Sequence, residues 1–106
     1  MDSMQFAKED ILERLLREAI MEAGRSIEEV KSAFAQDGAL LEPKERGAIE
    51  RQVSVLEQAV TAKDRDQIDF EREQLHNITR PFAERRMDRA ITSALKGARV
   101  EDVANS

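Results

Sequence analysis

Cysteine is absent from the 106-residue chain. That excludes disulfides, thiolate metal sites and cysteine nucleophiles. Tryptophan and tyrosine are also absent, and phenylalanine occurs four times, so any core must be mostly aliphatic. Four glycines and two prolines leave little material for turns. No apolar run approaches the roughly 20 residues that a bilayer-spanning helix needs. The first residues carry neither the basic leader nor the apolar segment of a secretion signal, so the expected compartment is the cytoplasm. The net charge of -5 is the wrong sign for general binding to phosphate backbones. Neither nucleic acid nor membrane is an expected partner.

What remains is helix-forming material. Ala, Leu, Ile and Val dominate the apolar residues, and 37% of the chain is charged, proportions that suit amphipathic helices. Leu12, Leu16, Ala19, Ala23, Ile27, Val30 and Phe34 recur at spacings of three and four, which places them on one helical face. This predicts a first helix over 6–36, longer than a compact bundle of this size needs. Leu15, Ile20 and Met21 widen its apolar face in the first half. Gly38 is expected to end it with a positive φ. Pro43 then suits the first position of a second helix over 43–62, with Glu42 as its cap. That helix carries the stripe Ile49, Val53, Leu56 and Val60. After a turn at Lys63-Asp64, Asp64 and Gln67 have capping-box spacing. A third helix is predicted over 65–78, with Ile68, Leu75 and Ile78 inward. Pro81 predicts a break at 78–80, because proline inside a helix loses a backbone bond and clashes one turn back. A fourth helix over 80–96 would bury Phe82, Met87, Ile91 and Leu95 and stop at Gly97. The fold class is therefore all-α: a long N-terminal helix leading into an antiparallel three- to four-helix bundle over 27–97. A flexible tail is expected over 98–106.

Nothing in these spacings makes a catalytic or metal site. His76 is alone and reads as a surface or boundary residue. The acidic run 64–73 reads as a solvated helix face. Carboxylates elsewhere also fall on solvated faces, with no apolar cleft to raise a pKa. The glycines, at 24, 38, 47 and 97, are too scattered to form a phosphate-binding loop. No catalytic residue, resident cofactor or metal is expected.

The most basic stretch lies at the end. Between Thr79 and Arg99 there are six Arg or Lys and two Asp or Glu. Arg85, Arg86 and Arg89 form a candidate basic contact face. The competing reading is that they pair with acidic neighbours inside the bundle.

The run Pro81-Phe82-Ala83-Glu84-Arg85-Arg86-Met87-Asp88-Arg89-Ala90-Ile91, with Ala94-Leu95-Lys96-Gly97 and Val100-Glu101-Asp102-Val103 behind it, closely resembles the C-terminal end of the HscA-type chaperones. These are DnaK-like chaperones of iron–sulfur cluster assembly. Ala39-Leu40-Leu41, Glu45-Arg46, Ile49, Leu56 and the 64–68 turn agree in order and spacing. The resemblance implies a lid: a helical subdomain that closes over a β-sandwich holding an extended peptide. It also implies that ATP and magnesium bind a nucleotide-binding domain outside these 106 residues, so this segment has no enzymatic role of its own. The implied partners are the β-sandwich of the same full chain and, through the whole protein, an iron–sulfur scaffold and a J-type cochaperone. Positions where relatives latch the lid to the sandwich fall near 24–28. Arg25 and Glu28 are the candidates there, although Gly24 has no side chain to latch with and Glu28 is acidic where generic relatives tend to be basic.

The lid reading suits the long first helix, whose Leu12, Leu15, Leu16 and Ile20 are candidates to face the sandwich or another partner. Without one, they are a route to self-association. Two other readings stand beside it: the lid of a general DnaK-type chaperone, and an independent helical protein–protein binding module.

Overall fold

The computed structural model describes the backbone of residues 3–105 and the side chains of residues 7–97. Three helices account for nearly all of it. Helix α1 spans Ser3–Asp37, a 3-10 turn follows at Gly38–Leu40, α2 spans Pro43–Ala62 and α3 spans Arg65–Asn105. No strand occurs among the described residues. The tail expected over 98–106 lies outside the residues whose side chains are described.

The first two boundaries follow local chemistry. Pro43 opens α2 behind Glu42 in extended geometry, where the missing proline N–H is no loss. The Glu42 N–H donates to the Glu45 carboxylate at 3.3 Å. At the far end Lys63 turns left-handed, with φ 56°. Its N–H donates to the Val60 carbonyl at 3.0 Å, and that of Asp64 to the Ala59 carbonyl at 3.4 Å, so the last carbonyls of α2 find donors. Asp64 caps α3 by accepting from the Gln67 N–H at 3.2 Å. Gly38 departs from expectation because no glycine among the described residues has positive φ. Its lack of a side chain matters sterically: a Cβ there would meet the Arg46 guanidinium at 3.3 Å.

The core is aliphatic. Ala19, Ala23 and Ile27 of α1 pack with Ile49, Leu56 and Ala59 of α2 and Ile68 and Leu75 of α3. The alanines let α1 approach closely. Ile49, Leu56, Ile68 and Leu75 are fully enclosed, each worth roughly 1.5–3 kcal/mol of apolar burial. Val30, Phe34, Val53 and Val60 pack against them, as their spacing predicts.

The charge pairs fix the helix directions. Arg72 meets Glu22 and Arg86 meets Asp37, so α1 and α3 run the same way. Glu71 meets Gln52 and Arg85 meets Glu45, so α2 runs opposite to α3. The first half of α1 therefore leaves one end of the bundle and the last part of α3 leaves the other. The molecule measures 76 × 34 × 18 Å.

The second half of α3 corrects the prediction. The helix continues through Pro81 and through Gly97. Ile78 is 38% exposed, and Met87, Ile91 and Leu95 are 64%, 50% and 62% exposed instead of buried. Two physical causes account for this. Leu75 and Phe82 both enter the bundle, and their seven-residue spacing keeps them on one face only if the helical phase runs unbroken past Pro81. Phe82 is held edge-on to Phe34, ring centroids 6.0 Å apart. The Thr79 hydroxyl donates to the carbonyls of Leu75 at 2.8 Å and His76 at 3.2 Å, engaging the turn that precedes the proline. Beyond this point α3 passes the corner where α1 ends and α2 begins, and Met87, Ile91 and Leu95 have no helix alongside to cover them.

Glu71 is the second correction. It belongs to the acidic run expected to be solvated, yet it is 6% exposed. Gln52 Nε2 donates to its carboxylate at 2.9 Å and to its carbonyl at 3.0 Å. Gln67 Nε2 donates to the other carboxylate oxygen at 3.2 Å. A buried carboxylate needs such donors. Its position was readable: Glu71 lies three residues after Ile68 and four before Leu75, on the inward face.

Candidate interaction faces

The three arginines of this face are all paired within the chain. Arg85 Nη2 meets a Glu45 carboxylate oxygen at 2.6 Å. Arg86 Nε donates to Asp37 at 2.8 Å, and its Nη2 to the Gln36 side-chain oxygen at 3.0 Å. Arg89 Nη1 reaches the other Asp37 oxygen at 3.1 Å. Arg86 also stacks over Phe82, 5.9 Å from the ring centre, and Arg46 over Phe34 at 5.0 Å. All three arginines thus clamp α3 to the corner between α1 and α2. Asp37 is the last residue of α1, where a carboxylate opposes the helix dipole; two guanidiniums neutralise it. The Arg85 hydrogen bond, together with the Glu42 N–H, holds the Glu45 carboxyl below its ordinary value.

The first half of α1 behaves differently. Every described side chain from Ala7 to Arg14 is exposed. Leu12 is 51% exposed and Ile11 is similar, while Leu15, Leu16 and Ile20 are half-buried at the bundle's edge. The enclosed part of α1 begins at Ala19. Arg25 is exposed and pairs with Glu22 one turn back at 3.4 Å; Glu28 is exposed. Arg25 and Glu28 share the outer surface of α1 and are not brought to any described partner on another helix.

An open groove of about 670 Å³ lies between α1 and α3. Val30, Ala33, Leu75 and Phe82 supply apolar walls, with Glu29, Asp69 and Glu73 among the polar residues. His76 lines this groove; the sequence marked it only as a lone surface or boundary residue, since nothing local predicts which helices will flank it. Among the described residues no three His, Asp or Glu side chains are grouped to hold a metal ion. No helix there is long and apolar enough to cross a membrane.

No family model matches the chain. Individual relatives do. It is 43% identical over 102 residues, 96% of its length, to a chaperone protein HscA homolog of Shewanella sediminis. A homolog from Shewanella putrefaciens is 40% identical over the same length, and the HscA chaperone of Klebsiella pneumoniae strain 342 is 39% identical. The chain closely matches part of the HscA-type chaperones. It spans 16% of the Shewanella relatives' length and 17% of the Klebsiella one. The HscA-like resemblance carried by the arginine-rich run thus extends over nearly the whole chain, and that run is the part of the HscA-like segment that ties α3 to the other two helices.

Proposed function

We propose that this chain is the helical lid of a substrate-binding region in an HscA-type chaperone of iron–sulfur cluster assembly. One structural observation supports the reading beyond family likeness: α1 is enclosed in the bundle from Ala19 onward, while its described side chains from Ala7 to Arg14 are all exposed. A helix of 35 residues is roughly 52 Å long, and its apolar residues Ile11, Leu12 and Leu15 run out past the core. Such a helix suits a lid that lies over a neighbouring domain with one half and anchors in its own bundle with the other. On this reading the neighbour is a peptide-holding β-sandwich of the same full chain, and the compartment is the cytoplasm. A scaffold protein and a J-type cochaperone meet the whole chaperone. The lid slows peptide release under control of ATP bound elsewhere. The independent-module reading has two candidate faces, the 85–89 arginines and Leu12–Ile20; the arginine version draws less support, because Arg85, Arg86 and Arg89 are engaged within the chain.

The test is peptide release from the full chaperone carrying this segment. Leu12→Asp with Leu15→Asp removes the apolar face without touching the enclosed core. Faster release of a fluorescent peptide in the ADP-bound state, with ATP hydrolysis intact, is the expected result. Unchanged release in a correctly folded double variant rejects the lid contact.

A further inference from the structure

The arginines of the α1–α3 groove are spent within the chain, and its carboxylates are not. Arg72 reaches Glu22 at 3.7 Å near one end, and Arg86 holds Asp37 at 2.8 Å at the other. Glu29, Asp69 and Glu73 line the same groove and are exposed. Among the described residues none of the three pairs with a cation. Arg25, one turn before Glu29, is turned to Glu22 instead. Asp69 and Glu73 stand one turn apart on α3, a spacing at which like charges repel. Below these carboxylates the lining is apolar: Val30 and Ala33 from α1, Leu75, Phe82 and Ala83 from α3. The two helices run the same way, so the groove is a furrow between aligned ridges, a shape that receives another helix along its length. From Asp69 to Arg86 it follows α3 for about 25 Å.

We propose that this groove docks an amphipathic helix of a partner protein, one with apolar residues on the face that enters and Lys or Arg on both flanks. The apolar lining takes the entering face, as in other helix-in-groove contacts. The unpaired carboxylates set the sign of the flanking charge. They also set its placing. The pairs Arg72–Glu22 and Arg86–Asp37 bring Glu29 about level with Thr79, roughly 9 Å further along the axis than Glu73. Asp69 and Glu73 stand on the α3 wall and Glu29 on the α1 wall. The partner's cations therefore belong on opposite flanks, about two turns apart. The same carboxylates repel phosphates, which opposes nucleic acid or anionic lipid in this groove. The contact does not depend on the lid reading and uses a different face from Leu12 and Leu15.

The probe is a fluorescent helical peptide of Leu, Ala and Lys, about 18 residues long to match the groove, with one apolar face and Lys on both flanks. Its scrambled isomer keeps the composition and loses the face. Anisotropy titrations with the 106-residue chain should give micromolar binding of the peptide and at least about tenfold weaker binding of the isomer. Glu29→Gln, Asp69→Asn and Glu73→Gln together should weaken the peptide at least about tenfold, the equivalent of about 1.4 kcal/mol, with the circular dichroism unchanged. Glu28→Gln, Glu57→Gln and Asp88→Asn make the same charge change at exposed sites off the groove and should cost at most about twofold. Amide shifts on binding should centre on Ser26, Val30, Thr79 and Ala83. Absence of binding overturns the proposal. So does equal binding of the two peptides, an equal loss in the two triple variants, or shifts centred on Leu12 or on Ile91, which would place the peptide on another face.

Discussion

Replacing Pro81 by alanine asks directly whether α3 is one helix. Pro81 lies sixteen residues after the start of a continuous helix and its side chain is exposed, so the substitution removes no core packing. Proline has no N–H to give the Asn77 carbonyl, and its ring crowds that turn. In a helix interior it is about 3 kcal/mol less favourable than alanine. Alanine also frees the unfolded chain, which offsets about 0.4–1 kcal/mol. The net expectation is a stabilisation of about 2 kcal/mol. With a urea dependence of about 1–3 kcal/mol/M for a small domain, the unfolding midpoint followed by circular dichroism should rise by about 1 M. An unchanged or lower midpoint would refute the reasoning. It would mean that Pro81 sits in the first turn of a separate helix, where proline is harmless, and that Phe82 reaches the core by another route.

Two other measurements probe the bundle and its clamp. Leu56 is wholly enclosed among all three helices, so Leu56→Ala should lower stability by about 2–5 kcal/mol in urea titrations; a loss near zero would mean the core is packed elsewhere. The Glu45 carboxyl is lowered chiefly by its Arg85 hydrogen bond, so its contribution is fully present above the ordinary glutamate range and disappears as pH falls through the lowered value. The melting temperatures of wild type and Glu45→Gln should therefore differ near neutrality and converge in acid, and a gap that persists or widens in acid would exclude the Arg85 pair as its source.

Helix ends were legible where they depend on neighbouring residues. Asp37, Pro43, Lys63 and Asp64 mark boundaries that backbone hydrogen bonding imposes locally, and the three- and four-residue spacing picked out Ile27, Ile49, Leu56, Ile68, Leu75 and Phe82 as core. The first half of α1 was legible as surplus length. Pro81 and Gly97 misled because each is a stop signal only when nothing beyond the local chain overrides it. At Pro81 the two anchors Leu75 and Phe82 do so. The arginine run was visible as charge, but its partners Asp37 and Glu45 are 40 to 52 residues away in the chain, and no local pattern pairs them.

The sequence by itself determined an all-helical chain with an aliphatic core, the ends of its first two helices, and a likeness to HscA-type chaperones. Those follow from hydrogen bonding within a helix and from apolar periodicity, both set by residues within about a turn or two of each other. Only the tertiary structure decided which of two apolar stripes on α3 is buried. It also decided that Glu71 is enclosed and that the arginines clamp the α1–α2 corner. The physical reason is common to all three. Burial and ion pairing depend on which helix lies alongside, and that is fixed by helix length and direction: α1 and α2 meet at a corner near Asp37, and α3 runs on past it.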